Sequence, residues 1–518
     1  MTNPTDNPLY NSNQHVRGEF VEKDLYDEAD YCIVGSGAAG AACARTLTKE
    51  GASVILVEEG PYYSSANYTV NVWKTMKKVC REAGMLAAIT PSFSMPILQG
   101  TCVGGSTLIN SAISWRLPEE AHHVWAKQFG LGEALPYAAL ENCFSTIEEE
   151  LHIVSTPDNV AGKNNLLMKK GAQALGIPAS PTLRAVHECE GKGLCLQGCP
   201  NHRKQSMTIT YIPMALQKGA RLYSSCRVEK ISVEKGASVG VIGHFLSQDR
   251  QRKKMKLQVR ARKGVILAAS AIQTPLLLQR NRLANSSGQV GAHFQAHPGA
   301  AMLGFYKEEV RQWEGATQGF QTKPSWEKRY KLESLTLPPE LLMIRMPGIG
   351  LKTMSYLDSL RHTALWVAAI RSEAQGKIRN FLGIPQVLYV PTPRDMETLR
   401  NALKTLADMH FAAGAYAVAP NVLGLPDLLT SPDQTRLLSE QPAQPGQVTM
   451  AATHLFGTCR MGVDPKTSVV NPRFECHDVK KLYITDSSVF PTNIGVNPQH
   501  TIIAMAMHAS HGILDRGS

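Results

Sequence analysis

Apolar and polar positions follow different rhythms along this chain. Tyr31 to Val34 is a short unbroken apolar run and Ser53 to Val57 is a second. Between them, Ala38 to Leu47 is rich in alanine with a slim apolar face, so the stretch predicts strand, turn, helix, strand. Further on, the pattern predicts a helix over Asn67–Ala88, mostly helix over Ala121–Leu151, and helices over Gly162–Leu175 and Met207–Lys218. Ala220 to Val233 reads as a strand pair, with exposed and buried positions alternating through CRVEKI. Gly264–Ser270 is a buried strand, followed by a helix over Ala271–Arg280 in which Pro275 is tolerated only near the first turn. From Gly299 to Gly446 the character changes: Pro, Met and aromatic residues become frequent and the strands alternate. Leu335–Leu357 is apolar but broken by prolines, which excludes a bilayer-spanning helix and leaves a core-packed loop or a hydrophobic lid. Lys481–Thr485 is a strand ending at Asp486, and Asn497-Pro498 opens a helix over Pro498–Leu514.

The turn between the first strand and helix carries Gly35, Gly37 and Gly40 in G-x-G-x-x-G spacing, with Glu58 at the end of the second strand. Gly35 permits a tight turn, Gly37 lets a pyrophosphate approach the backbone, and Gly40 lets helix and strand pack closely. The helix start offers free N–H groups and partial positive charge to phosphates. Glu58 can accept hydrogen bonds from an adenosine ribose. Strand, helix and acid agree with the glycines, so the stretch predicts a dinucleotide site. A second glycine segment, QGTCVGGSTLIN at Gln99–Asn110, suits a backbone lying flush against a flat ligand, or a structural turn.

The totals narrow the class. At 518 residues the chain favours two domains over one core, and 43% hydrophobic with 19% charged residues is ordinary for a globular protein. No apolar run approaches the roughly 20 residues needed to cross a bilayer. The first residues, through about position 24, read as a polar tail; lacking a basic start and an apolar core, they point to a cytoplasmic protein. The net charge of +11 is concentrated at Lys74–Arg81 and Arg250–Lys263. These runs read as a solvated helix face and a solvated hairpin, with attraction to acidic lipid, an acidic partner or an anionic substrate as the sharper alternative, and nucleic acid set aside.

Seven motifs together resemble the glucose–methanol–choline (GMC) family of FAD-dependent oxidoreductases. They are VGSGAAG with Glu58, GTCVGGSTLIN at Gly100–Asn110, SAIQTPLLL at Ser270–Leu278, VGAHFQAHPG at Val290–Gly299, then HLFGTCRMG, YITDSSVFP and GVNPQHT near the end. The resemblance implies an α/β (α+β) architecture: a Rossmann-like FAD domain from discontinuous segments (25–118, 205–298 and 446–518) and a substrate domain on an antiparallel sheet (119–204 and 299–445). It implies that Gly35, Gly37 and Gly40 take the pyrophosphate and Glu58 the ribose. Gly104, Gly105, Ser106 and Asn110 would lie along the isoalloxazine and ribityl chain, Val228 would touch adenine through its backbone, and Asp486 would hold the ribityl or phosphate end. His454 would be the catalytic base facing the flavin N5, and Asn497 would occupy the second catalytic position. Pro498 would start a helix whose positive end stabilises the reduced flavin. With no His between Gln99 and Trp115, noncovalent FAD is expected.

The reaction implied is oxidation of an alcohol to a carbonyl, because an alkoxide gives up hydride far more readily than a hydroxyl and a neutral imidazole can take the proton. Asn497 either caps its own helix or holds substrate; substrate contact is the expectation. The Met- and Leu-rich insert favours an apolar alcohol, with O₂ or an electron-transfer partner as acceptor and peripheral membrane contact as a further option. A flavin-dependent lyase or photoenzyme, or a non-catalytic FAD-binding protein, is the competing class. Cys189, Cys195 and Cys199, in C-x₅-C-x₃-C spacing, leave three readings open: an iron–sulfur cluster, buried free thiols, or zinc with His187 or His202 as a fourth ligand.

Overall fold

A computed structural model describes residues 13–381 and 383–515. The strand Leu25–Val34, helix Ala38–Lys49 and strand Val54–Val57 form the expected βαβ unit, with both strands parallel and in register from Tyr31↔Val54 to Val34↔Val57. They sit inside an eight-stranded sheet ordered His15–Arg17, Arg221–Ser224, Val54–Val57, Leu25–Val34, Lys253–Leu267, Ala237–Leu246, Cys226–Glu234, with Leu482–Ile484 also beside Lys253–Leu267. The half nearest the glycine turn is parallel and buried on both faces, as its apolar strands demand. The far half is antiparallel.

The second sheet has seven strands and is antiparallel throughout, centred on Gly299–Phe305, Thr363–Ile370 and Tyr330–Ser334. One face carries Ala300, Met302, Leu332, Trp366 and Ala368 into a core shared with Leu399, Leu403 and Leu406 of the helix Pro393–Ala413. The other carries Ala301, Leu303, Phe305 and Leu365. Across that second face lies Leu335–Leu357, folded as two single helical turns, Pro339–Leu342 and Leu351–Met354. It buries Leu342 and Met346 on the sheet but leaves Ile344 63% and Ile349 92% exposed, so the segment is core on one side and an apolar surface on the other.

Several local expectations are corrected. Asn67–Ala88 is not one helix. The helix is Val72–Val79, started by the Asn71 side chain accepting from Lys74 N at 2.9 Å, and Glu82 and Ala83 turn into left-handed conformations beyond it. Ala220–Val233 is not a strand pair: Ser225 (φ 51°) separates two strands that lie at opposite sides of the first sheet. The Arg250–Lys263 run is the turn end and second arm of an antiparallel hairpin with Ala237–Leu246, as expected, its bases on the solvated face of the pleat, where Arg262 meets Glu28 (3.0 Å) and Asp30 (3.1 Å). The polar tail does not extend to residue 24, since His15–Arg17 pairs in parallel with Leu222–Ser224; positions 1–12 lie outside the described residues. Pro275 sits well inside the helix Ser270–Asn281. The carbonyl it cannot reach, on Ala271, instead accepts from Thr458 Oγ1 at 2.6 Å, which accounts for the tolerated proline. No described helix is long and apolar enough to cross a membrane.

Candidate active site

The two glycine segments, far apart in sequence, form one cradle. Gly35 has φ +101°, and a Cβ on Gly40 would lie 1.8 Å from the Gly35 carbonyl oxygen, so the turn and the close approach both require glycine. A Cβ on Gly37 would meet nothing within 4 Å: that side of the turn is open, at the N-terminus of Ala38–Lys49. Gly105 (φ +54°) lies against Gly37, where an added Cβ would be 3.0 Å from the Gly37 Cα. Gly104 (φ +87°) packs on Thr208 and donates its N–H to Ser36 Oγ at 3.0 Å. Ser36 in turn donates from N (2.9 Å) and Oγ (2.7 Å) to Glu58 Oε2, while Gly60 N donates to Oε1. Burial pushes the Glu58 carboxyl above its ordinary range despite these donors. Ser36, a small polar residue with no motif of its own to mark it, is thus the link between the acid and the second segment.

The remaining cofactor candidates are tied to the same place. The Ser106 hydroxyl accepts from Gly100 N at 3.0 Å, and Asn110 donates to Gln499 Oε1 at the start of the C-terminal helix. Val228 is buried at a bulge in its strand, two residues beyond Cys226, whose N–H donates to the Glu58 carbonyl. Asp486 is fully engaged: it accepts from Ser270 N (3.0 Å), Thr274 Oγ1 (2.5 Å) and Ser488 N (2.8 Å), and burial raises its pKa. It pins the start of Ser270–Asn281 against the turn after Leu482–Ile484. Pro498 is the residue before the helix Gln499–Leu514, whose N-terminal turn has no side-chain cap.

Asn497 therefore does not cap its helix. Its Oδ1 accepts from Lys331 Nζ, and its Nδ2 faces His454 Nε2 at 3.5 Å, a residue 43 positions earlier. Lys331 and Glu333 project from the same face of Tyr330–Ser334 and form an ion pair at 2.5 Å, both almost wholly buried. Lys331 Nζ also lies 5.4 Å from the ring centre of Trp115, whose indole N–H donates to Gln321. His297, from the VGAHFQAHPG segment, accepts at Nε2 from Gly495 N (3.0 Å) and places Nδ1 3.2 Å from His454 Nδ1. A neutral His297 then carries its proton on Nδ1 and gives it to His454 Nδ1, which leaves the His454 proton on Nε2, facing Asn497. Burial lowers His454 to about 4, with Glu333 working against and Lys331 with the shift, and drives His297 well below its ordinary value. Both rings are neutral at ordinary pH.

The cysteine loop is organised by a cation. Arg184, fully buried, donates from Nη2 to Cys195 Sγ (3.1 Å), from Nη1 toward Cys189 Sγ (3.7 Å) and from Nε to the Ser111 carbonyl (3.0 Å). Cys199 Sγ accepts from Arg203 N. Among the described residues no group of three His, Cys, Asp or Glu is placed to hold a metal, and Cys189, Cys195 and Cys199 stand as free thiols, against the iron–sulfur and zinc expectations. The physical reason is that a guanidinium occupies the point on which two of the sulfurs converge. Burial pushes the Cys195 thiol up, and the Arg184 and Lys204 charges outweigh it, leaving the thiol below its ordinary range. Lys204, lowered to about 8 by burial, donates to the carbonyls of Leu108, Asn110 and Cys195. Arg184 and Lys204 together hold the backbone of the second glycine segment from below.

Residues 29–299 and 375–506 match the N- and C-terminal regions that define GMC oxidoreductases, and the chain belongs to that family. A GMC-type oxidoreductase of Mycobacterium tuberculosis is 31% identical over 485 residues, covering 92% of this chain and 75% of the relative. A long-chain-alcohol oxidase of Arabidopsis thaliana is 27% identical over 530 residues, 95% of this chain and 68% of that one. Among solved structures, a formate oxidase of Aspergillus oryzae RIB40, solved as a variant to follow the effect of mutation on FAD modification, superposes with a TM-score of 0.73 at 14% identity, covering 96% and 99% of the two chains. The protein is thus an FAD-type oxidoreductase of the GMC fold. The residues present fit the cofactor: Gly37 is open at a helix N-terminus, as a pyrophosphate would require, and a buried carboxylate, Glu58, ends the second strand.

Proposed function

We propose that the chain oxidises a primary alcohol with an apolar tail to the aldehyde, with FAD bound noncovalently as hydride acceptor. The observation that carries this reading is the convergence of His454 and Asn497 beside the two-segment glycine cradle. FAD would be held by Gly35, Gly37 and Gly40 at the pyrophosphate, Glu58 and Val228 at the adenosine end, and Gly104, Gly105, Ser106, Asn110, Asp486 and Pro498 at the flavin end. When bound it supplies the two-electron oxidant. The domain division given above, with the second sheet as substrate domain, belongs to the same proposal.

In the substrate-free site, His454 Nε2–H and Asn497 Nδ2–H offer two donors to one oxygen, which suits an alcohol, an alkoxide or the product carbonyl. Taking the hydroxyl proton at Nε2 requires the other His454 tautomer, with its proton on Nδ1 toward His297. The His297–Gly495 contact sets the cost of that exchange. The alkyl tail would lie against the outer, apolar side of Leu335–Leu357, where Ile349 and Leu351 are exposed. The long-chain-alcohol oxidase relative points the same way.

The test is anaerobic. Purified protein is yellow, and its flavin absorbance bleaches on adding 1-dodecanol. Readmission of air then separates the acceptors: stoichiometric peroxide marks O₂, and turnover only with an added dye marks an electron-transfer partner. A protein that takes up no flavin, or one whose flavin no alcohol reduces, ends the reading.

A further inference from the structure

Lys331 and Glu333 lie at the site, yet neither is needed to state the reaction. Lys331 is 2% exposed and Glu333 4% exposed. Two charges withdrawn this far from water are costly, and a well-packed apolar pair would serve stability as well or better. The pair has a second connection: Lys331 Nζ donates to Asn497 Oδ1. An ammonium has donors and no acceptor, so it can face only the oxygen of an amide. The Asn497 side chain is otherwise symmetric in shape, and its two ends differ only in hydrogen bonding.

We propose that Lys331 is a positioning residue: it holds the Asn497 oxygen and thereby fixes the Asn497 NH₂ on the His454 side, where the substrate oxygen binds. Glu333, kept in place by Gln318 Nε2 at 3.1 Å, neutralises the ammonium so that the site carries no net charge from the pair. The charged and titratable groups facing His454 and its partner His297 are Lys331, Glu333 and Arg371, the last acting on His297. Without Lys331 the amide is free to turn, and an oxygen then meets the substrate oxygen. This rests on the alcohol reading for the place of the substrate oxygen but not for the orientation itself.

Neutron diffraction on hydrogen–deuterium-exchanged, flavin-loaded enzyme reads the orientation directly. The expected result is an ND₂ group toward His454 and the bare oxygen toward Lys331; the reverse overturns the proposal whether or not the protein oxidises alcohols. The second arm uses variants. Lys331→Met alone strands a buried carboxylate and threatens folding, so the decisive variant is K331M/E333Q, which removes both charges together. It is expected to retain flavin and to bind 2-dodecanone, an acceptor-only ligand followed by flavin absorbance, about tenfold more weakly than wild type, the loss of one hydrogen bond. Lys331→Arg, which keeps a donor, is expected to recover most of that affinity. A double variant that holds flavin and binds the ketone as tightly as wild type overturns the proposal. Failure of wild type to be reduced by any alcohol, with the neutron result as expected, instead removes the proposed reaction and leaves the positioning intact.

Discussion

The two halves of the site are built on opposite principles. The proposed cofactor half is built mainly on backbone, with a few side chains such as Glu58 bracing it: glycines that permit left-handed turns, close approaches and open N–H groups, gathered within short sequence spans. The substrate half is made of side chains that meet only through the fold: Asn497 from a loop near the end, His454 from a strand edge, His297 from before the second sheet, and Lys331 with Glu333 from that sheet's middle. A backbone site tolerates no added atom where it is tight and is indifferent where it is open. A side-chain site tolerates shape changes but fails when one donor or acceptor is turned round.

The contrast can be broken most severely at Gly40. Gly40→Val puts a Cβ 1.8 Å from the Gly35 oxygen, with two methyls beyond it, and should yield protein without flavin, measured as the ratio of flavin to protein absorbance. Gly37→Ala should fold normally, because its Cβ meets no protein atom, and lose only FAD affinity, read by titration of the apoprotein. Equal damage from both would contradict a cradle in which one glycine is packed and the other faces the ligand.

Next in size is Glu58→Gln. The amide keeps one acceptor oxygen but must turn an NH₂ toward either Ser36 or Gly60, both of which donate. FAD affinity should fall by roughly tenfold, about one hydrogen bond, while thermal stability of the apoprotein drops only a few degrees. A FAD affinity unchanged by this substitution would detach Glu58 from the cofactor.

The buried histidines predict a pH effect. Burial lowers His454 of the site to about 4, His410, stacked on Trp366, to about 3, and His500, in the C-terminal helix, to about 4. Each binds a proton more readily unfolded than folded, so stability is intact above the unfolded value near 6.5 and is lost as pH falls from there toward 4. The melting temperature should hold from pH 7 to 8 and decline steadily below pH 6. The acidic limb of kcat/KM should likewise lie below about pH 5; a limb near 6.5 would mean a solvated His454.

The difference between the halves also explains what could be read without a structure. The turn of Gly35, Gly37 and Gly40, with Glu58 at the end of the second strand, was legible because the spacing itself dictates the strand–turn–helix–strand geometry. The helix after Pro498 was legible from Asn497-Pro498, but that Asn497 leaves this helix uncapped depends on its contact with Lys331, which carries no local signal. His297 lay within a recognised motif yet received no role, since its partner Gly495 is 198 positions away. The cysteine loop misled because spacing alone cannot reveal Arg184 filling the centre. The strands Arg221–Ser224 and Cys226–Glu234 were found but wrongly paired, because Ser225 turns the chain out of register with no glycine to announce it.

The most direct test joins the halves in one reaction. Wild type and His454→Ala, each loaded with FAD, are mixed anaerobically with 1-dodecanol and flavin bleaching is followed in a stopped-flow instrument. The account predicts that the variant binds flavin like wild type but is reduced about 10²–10⁴-fold more slowly, the usual worth of a general base. Reduction of the variant at the wild-type rate would contradict it.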